Sequence, residues 1–174
     1  MAYRYLIPNG PSPTTAAQAV LATGTAIQTL LQVKLGATIT GVAIIKEWGI
    51  SFEGEAAATP IKCELLSTMA VAATAFTAHV AAGIVNLDPK AEAPADNLPF
   101  DFGTGATGFS DGSVTEGTIT ATRMFDVQLI APTNQYVKQW PLGREPMFDA
   151  DEFMRIRVTA AGDENCYCYV IIEV

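Results

Sequence analysis

Apolar and polar residues alternate with a period of two along most of this chain, and clusters of Gly, Pro, Asn and Thr cut the alternation into short runs. That pattern marks strands that bury one face, separated by turns. Tyr3 to Ile7 reads as a short strand or an extended arm. Pro8, Pro11 and Pro13 then exclude a regular helix or a central strand over residues 8–15, because proline lacks the N–H donor and fixes φ. Thr15 to Ala22 suits a helical turn or two, ended at Gly24. Ile27 to Leu35 is the first full strand. Ile39 to Phe52 is a long one, with Val42, Ile44, Trp48, Ile50 and Phe52 on one face and Lys46 interrupting it.

After a turn at 54–60, Ile61, Cys63 and Leu65 alternate with Lys62 and Glu64 as a half-buried strand, and Phe76 to Val80 is a further short one. Residues 83–112, rich in Gly, Pro, Asp and Ala, form a long irregular loop, a kind that is commonly functional or mobile. Strand signals return at Val114 to Ile130, with Thr118, Thr120 and Thr122 on one face, and at Tyr136 to Trp140, stopped by Pro141. In Phe153 to Thr159 the pattern puts Met154, Ile156 and Val158 inside and Arg155, Arg157 and Thr159 outside. Cys166 to Val174 is the final strand.

Eight or nine strands, no long helix and no internal repeat predict an all-β fold: an antiparallel two-sheet sandwich of jelly-roll type with an N-terminal extended arm. A meander barrel is the rival topology. The expected organisation is an arm over residues 1–26 and one sandwich domain over 27–174 carrying the loop at 83–112. A length of 174 residues is enough for one domain with a two-sheet core.

Charge changes this picture. Only 16% of the residues are charged, against about 25% in an ordinary soluble domain, so part of the surface is expected to be covered by partner subunits. No charged residue occurs from Tyr5 to Val33, which suits an arm packed on a neighbouring subunit or folded back on its own domain. A net charge of −8 argues against nucleic-acid binding, which needs Lys and Arg to displace phosphate counterions, and against anionic lipid. There is no run of about 18 apolar residues to span a membrane, and no basic-then-apolar leader at the N-terminus. Cys63, Cys166 and Cys168, an odd number without a Cys-x-x-Cys pair, read as buried thiols of a protein made in a reducing compartment, here the cytoplasm.

Candidate chemistry is sparse. Gly103-Thr-Gly105-Ala-Thr-Gly108 spells a dinucleotide fingerprint but lacks the strand before it and the helix after it. Asp101-Phe102-Gly103 spells the kinase magnesium motif with nothing else of a kinase around it. His79, the one histidine, has no nucleophile elbow in the chain to serve, and reads as packed or surface-exposed. A zinc site would need Cys63 to converge with Cys166 and Cys168. The acidic turns with Asp149, Asp151 and Glu152, and with Asp163 and Glu164, could hold calcium only with further oxygen ligands. Glu47 and Glu53 read as a solvated face before a glycosidase pair. No catalytic residue, cofactor or metal is therefore expected, and the chain reads as a non-enzyme. The most distinctive segment is Tyr136-Val-Lys-Gln-Trp-Pro-Leu-Gly-Arg-Glu-Pro146. Aromatic rings and Arg are the residue types that dominate protein–protein contacts. Tyr3, Arg4 and Tyr5 of the arm, together with Trp140 and Arg144, are the candidate interaction residues.

Four segments, Thr23-Gly-Thr-Ala-Ile-Gln-Thr-Leu-Leu-Gln32, Glu47-Trp-Gly-Ile-Ser-Phe52, Tyr136 to Pro146 and Phe153-Met-Arg-Ile-Arg-Val-Thr-Ala160, resemble jelly-roll virion structural proteins of phages and prophages, of the capsid-decoration or cement kind. The resemblance implies a β-sandwich, often trimeric, that sits on the capsid surface of the virion, binds the major capsid protein and stabilises the head by bridging its subunits. It transfers no functional residue. The alternative is a carbohydrate- or receptor-binding jelly-roll module of a phage fibre or tail, for which Tyr136, Trp140, Tyr167 and Tyr169 are the rings available to stack on sugars.

Overall fold

A computed structural model describes residues 2–11, 17, 18, 20–37, 39–55, 59–74, 76–88, 99–110 and 113–174. Its strands, in chain order, are β1 (Arg4–Pro8), β2 (Leu21–Ala22), β3 (Ile27–Lys34), β4 (Val42–Glu53), β5 (Ile61–Ser67), β6 (Thr77–Ala78), β7 (Val85–Asn86), β8 (Gly108–Phe109), β9 (Arg123–Ile130), β10 (Gln135–Gln139), β11 (Met147–Asp149), β12 (Phe153–Thr159) and β13 (Asn165–Glu173). Among the described residues, the one helical piece is a 3-10 turn at Ala81–Gly83. The protein is an all-β sandwich of two antiparallel sheets. The first sheet runs β10-β4-β13-β1-β7, with β11 also on β4 and β2 on β13; the second runs β6-β8-β3-β12-β5-β9.

The pairing of the longer strands is nested. β1 pairs β13, β3 pairs β12, β4 pairs β10 and β5 pairs β9, so the first half of the chain runs antiparallel to the second. Successive pairs fall in alternate sheets, and β4–β13 and β5–β12 contacts close each sheet. The two inner faces then form one core, with Leu31, Val33, Leu65, Ile156 and Val158 from the second sheet against Ile7, Ile45, Trp48, Val170 and Ile172 from the first.

Residues 4–8, expected in an arm, are a strand of the sandwich itself. β1 lies between β13 and β7, its Tyr5 and Ile7 are buried in the core, and Tyr3 exchanges backbone hydrogen bonds with Val174 at 2.9 and 3.0 Å. Alternation explains this: Tyr5 and Ile7 share one face, and Pro8 ends the strand where a missing N–H costs least. β2 likewise pairs with β13, where the sequence suggested a helical turn. Residues 15, 16 and 19 of that segment lie outside the described residues, as do 89–98 of the long loop. The described ends of the loop contribute β7 and β8.

Simple alternation fails in several strands: β3 and β5 are buried on both faces, Glu64 of the expected half-buried strand included, and β4 and β12 depart as well. Opposite the step from Ile171 to Ile172, β4 advances from Glu47 to Ile45, leaving Lys46 as an extra residue. Such a bulge shifts the side-chain parity by one. Ala43 and Ile45 therefore point inward before it and Trp48 and Ile50 after it, while Val42 is exposed and Ile44 half-buried, contrary to the single face expected from Val42 to Phe52. In β12 the inward set is as expected, but Arg155 on the opposite face is fully buried. Chain segments around Val71 and Glu116 cover it: its guanidinium donates to the Glu116 carboxylate at 3.1 Å, to the Glu116 carbonyl at 3.2 Å and to the Val71 carbonyl. Residues 114–122, expected as strand, make one isolated backbone bridge, Thr115 with Thr74. They otherwise reach the second sheet through side chains, Glu116 with Thr29 and Arg155, and Gln28 with the Val114 N–H.

Asp126, at a register shift in β9, ties the sheets together with polar contacts. Its carboxylate accepts from Trp48 Nε1 at 3.1 Å and from the Tyr136 hydroxyl at 2.8 Å, both on the first sheet. Burial, then the carboxylate, raises the Tyr136 phenol to about 12, so it stays protonated as the donor.

Candidate functional site

A concavity lies beside the Lys46 bulge. Opposite it, the edge of the first sheet splits: β10 pairs Glu47 to Ser51, β11 pairs Val42 to Ile44, and residues 140–146 loop outward between them. Gly143 turns the loop at φ +80°, with the Arg144 N–H on the Pro141 carbonyl at 3.0 Å and the Gly143 N–H on Glu145 at 2.6 Å. Beside this loop lies a groove of about 440 Å³ on the outer face of the first sheet. It crosses β4, β13 and β1: Trp140, Leu142, Ile171 and Leu87 give it apolar walls, and Lys46, Glu47, Gln139, Glu145, Glu173 and Arg4 give it polar ones.

The charges in it are paired with one another. Lys46 Nζ sits between Glu145 at 3.1 Å and Glu173 at 3.3 Å, and Arg4 pairs with Asp88 at 2.9 Å. Partial burial opposes the Lys46 charge, but the hydrogen bonds it donates to Glu145 and Glu173 outweigh it and raise its pKa. Asp88 is held below the usual carboxylate range by its side-chain and backbone hydrogen bonds from Arg4. Glu47 accepts from the Tyr169 hydroxyl and from Gln139 Nε2.

Tyr169 separates the groove from a second depression of about 250 Å³ lined by Ser51, Gln135, Tyr136, Val137, Tyr167 and Tyr169. The Tyr169 ring lies on Gly49: a Cβ there would come within 2.5 Å of it, so glycine creates the seat. Burial and then the Glu47 hydrogen bond raise the Tyr169 phenol well above its ordinary value. Tyr167 leans beside it at 6.2 Å between ring centroids.

Of the candidate interaction residues, Arg4 and Trp140 meet in the groove although they are far apart in sequence. Tyr3 is half-buried against the core, and Tyr5 is buried, edge-on to Phe100 at 5.4 Å. Arg144 stands exposed on the outer turn and does not line the groove. The four aromatic candidates for sugar stacking all line one or the other depression. Lys46, Gln139 and Glu173 were not singled out from the sequence; the one signal was Lys46 breaking the alternation of β4.

The other candidates are accounted for locally. His79 is buried against Phe109 and donates from Nε2 to the Pro8 carbonyl at 2.8 Å. The three thiols are buried and free, and burial raises Cys63 and Cys166 to about 12. Asp149 accepts from the Asp151 N–H, Asp163 accepts from the Gly24 N–H, and Glu152 is a buried partner of Arg123. Among the described residues, no three His, Cys, Asp or Glu side chains form a group that could hold a metal ion. The glycine-rich string 103–108 turns through Gly103 and Gly105 at positive φ into β8, without a helix. No helix among the described residues is long and apolar enough to cross a membrane.

Compared with protein-family models, with curated proteins and with solved structures, the chain has no significant match.

Proposed function

We propose that this protein is a virion structural component, a capsid-decoration or cement protein that assembles as a homo-oligomer, a trimer by the resemblance, and stabilises a phage head by bridging subunits of the major capsid protein. The nested strand pairing supports reading the sandwich as a jelly roll, since an eight-stranded ribbon paired first-to-last and wrapped into two sheets is that topology.

The observation that carries the assembly reading is the edge of the second sheet. β9 is its last strand, and Met124, Val127 and Leu129 are exposed along it, Leu129 by 74%. An open strand edge with apolar side chains is a liability for a free monomer and an asset for a subunit whose neighbour covers it. Burying Val127 and Leu129, 48% and 74% exposed, between copies contributes about 1 and about 2 kcal/mol, which suits a closed oligomer.

Light scattering on the purified protein tests this. A defined oligomer is expected, converted to monomer by Val127→Lys with Leu129→Lys, and the wild type is expected to co-sediment saturably with capsids prepared without it. A wild-type monomer that leaves such capsids unbound overturns the reading.

A further inference from the structure

We propose that the outer face of the first sheet is a binding site for a neutral oligosaccharide, seated in the groove beside the 140–146 loop and extending over Tyr169 toward Tyr167. This inference stands apart from the assembly reading, which rests on the opposite sheet.

The chemistry of the lining selects the ligand class. Saccharides present apolar C–H faces and rings of hydroxyls that both donate and accept. They are held where aromatic or aliphatic surface alternates with fixed carboxylates and amides. The groove offers Trp140, Leu142 and Ile171 as apolar surface, with Glu47, Gln139 and Glu173 as polar groups within the same concavity. Its size, about 440 Å³, falls in the range of small-ligand sites, roughly 300–1,000 Å³.

Electrostatics rules against an anionic ligand. Lys46 is already matched by Glu145 and Glu173, and Arg4 by Asp88, so no cation is left over to pull in a phosphate or sulfate. The four carboxylates Glu47, Asp88, Glu145 and Glu173 outnumber the two cations, so the lining repels an anion, while Gln139 and Tyr169 hold Glu47 through neutral donors. A polyhydroxylated neutral molecule bonds to such a network without burying an uncompensated charge.

The polar groups are also fixed before any ligand arrives. The Tyr169 ring is seated on Gly49 with its hydroxyl on Glu47, and Gln139 holds the other oxygen of that carboxylate. Their orientation therefore costs little additional entropy on binding. Tyr169 lines the second depression while its hydroxyl bonds Glu47 in the groove, so the acceptors of one lie next to the aromatic rings of the other.

The two tryptophans supply an internal control. Trp48 is fully buried with its indole N–H on Asp126, whereas Trp140 lines the groove. Titrating ¹⁵N-labelled protein with cellotetraose, maltotetraose and chitotetraose is expected to shift the Trp140 indole signal and the amides of 139–145 and 167–173, leaving the Trp48 indole in place. At least one of the three should saturate with Kd at or below about 1 mM. Gln139→Ala, on an exposed edge strand, and Trp140→Phe should each weaken it by about tenfold, a loss near 1.4 kcal/mol, with the melting curve of Gln139→Ala unchanged. The monomeric β9 variant should bind as the wild type does, so failure of the assembly reading is distinguishable from failure here. The inference is overturned if none of the three binds, if both variants bind undiminished, or if the shifts map away from this face. It is equally overturned if an acidic peptide or a sulfated glycan occupies the groove while the neutral sugars do not.

Discussion

Acidification should destabilise this fold through its one histidine. His79 is 1% exposed, and since a carbonyl can only accept, the Nε2 that contacts Pro8 carries the ring proton of the neutral form. A second proton would have to enter on Nδ1, which has no hydrogen-bond partner and lies where a Cβ on Gly83 would be 3.1 Å away. Burial, only partly offset by the Pro8 bond, lowers the pKa from 6.5 to about 4. The unfolded chain therefore binds more protons than the folded one between those values. The stabilisation is complete above pH 6.5 and is lost as pH falls through about 4, a difference of roughly 3 kcal/mol. For a domain of this size that corresponds to a fall in Tm of roughly 6–12 °C. Urea unfolding between about pH 7 and pH 4, compared for wild type and His79→Gln, isolates it, because carboxylates titrate alike in both and cancel. The variant should lose about 3 kcal/mol less over that range, and the imidazole signal of the wild type should titrate near pH 4. Parallel stability curves for the two proteins, or a midpoint near 6.5, would refute the reasoning.

Two further outcomes follow from buried groups. Glu116→Ala strands the fully buried Arg155 guanidinium and also removes the acceptor of the Thr29 N–H and hydroxyl, so it should cost about 3–5 kcal/mol in urea unfolding. Adding Arg155→Met to it should restore a large share, since no buried charge is then left unpaired. Cys63, Cys166 and Cys168 should resist a thiol reagent in the native protein near neutral pH and react together on unfolding, read by timed labelling and mass spectrometry, because they are buried and burial raises their pKa values.

The strand plan was legible wherever alternation and turn residues agreed. Ile61 to Ser67, Phe153 to Thr159 and Asn165 to Glu173 lie within a residue or two of where period-two patterning puts them, because the alternate residues facing the core are apolar and breakers bound each run. The same patterning, followed by a run with no charge from Tyr5 to Val33, left Tyr3 to Ile7 open between arm and strand. Only pairing with β13 and β7 decided it, and pairing partners 160 or more residues away carry no local signal.

Parity was the limit for β4. Lys46 announced an interruption, but whether a polar residue in a strand faces solvent, ends the strand or bulges depends on the neighbouring strand, here the step between Ile171 and Ile172. Arg155 illustrates the same limit from the other side. Its position in the alternation correctly turns it away from the core, yet the residues that bury it, Val71 and Glu116, arrive from distant loops.

The sequence by itself determined the class of fold, the identity of most core residues and the low, acidic charge, since these follow from side-chain chemistry and its period along the chain. It also marked Trp140 and the residues around it as unusual. The tertiary structure alone decided that Arg4, Lys46, Trp140 and Glu173 share a groove, and that Tyr167 and Tyr169 line the depression beside it while Tyr136 turns its hydroxyl to Asp126 between the sheets. A concave site is made by neighbours across strands, and antiparallel pairing of first with last strands brings together residues whose separation in the chain hides any common purpose.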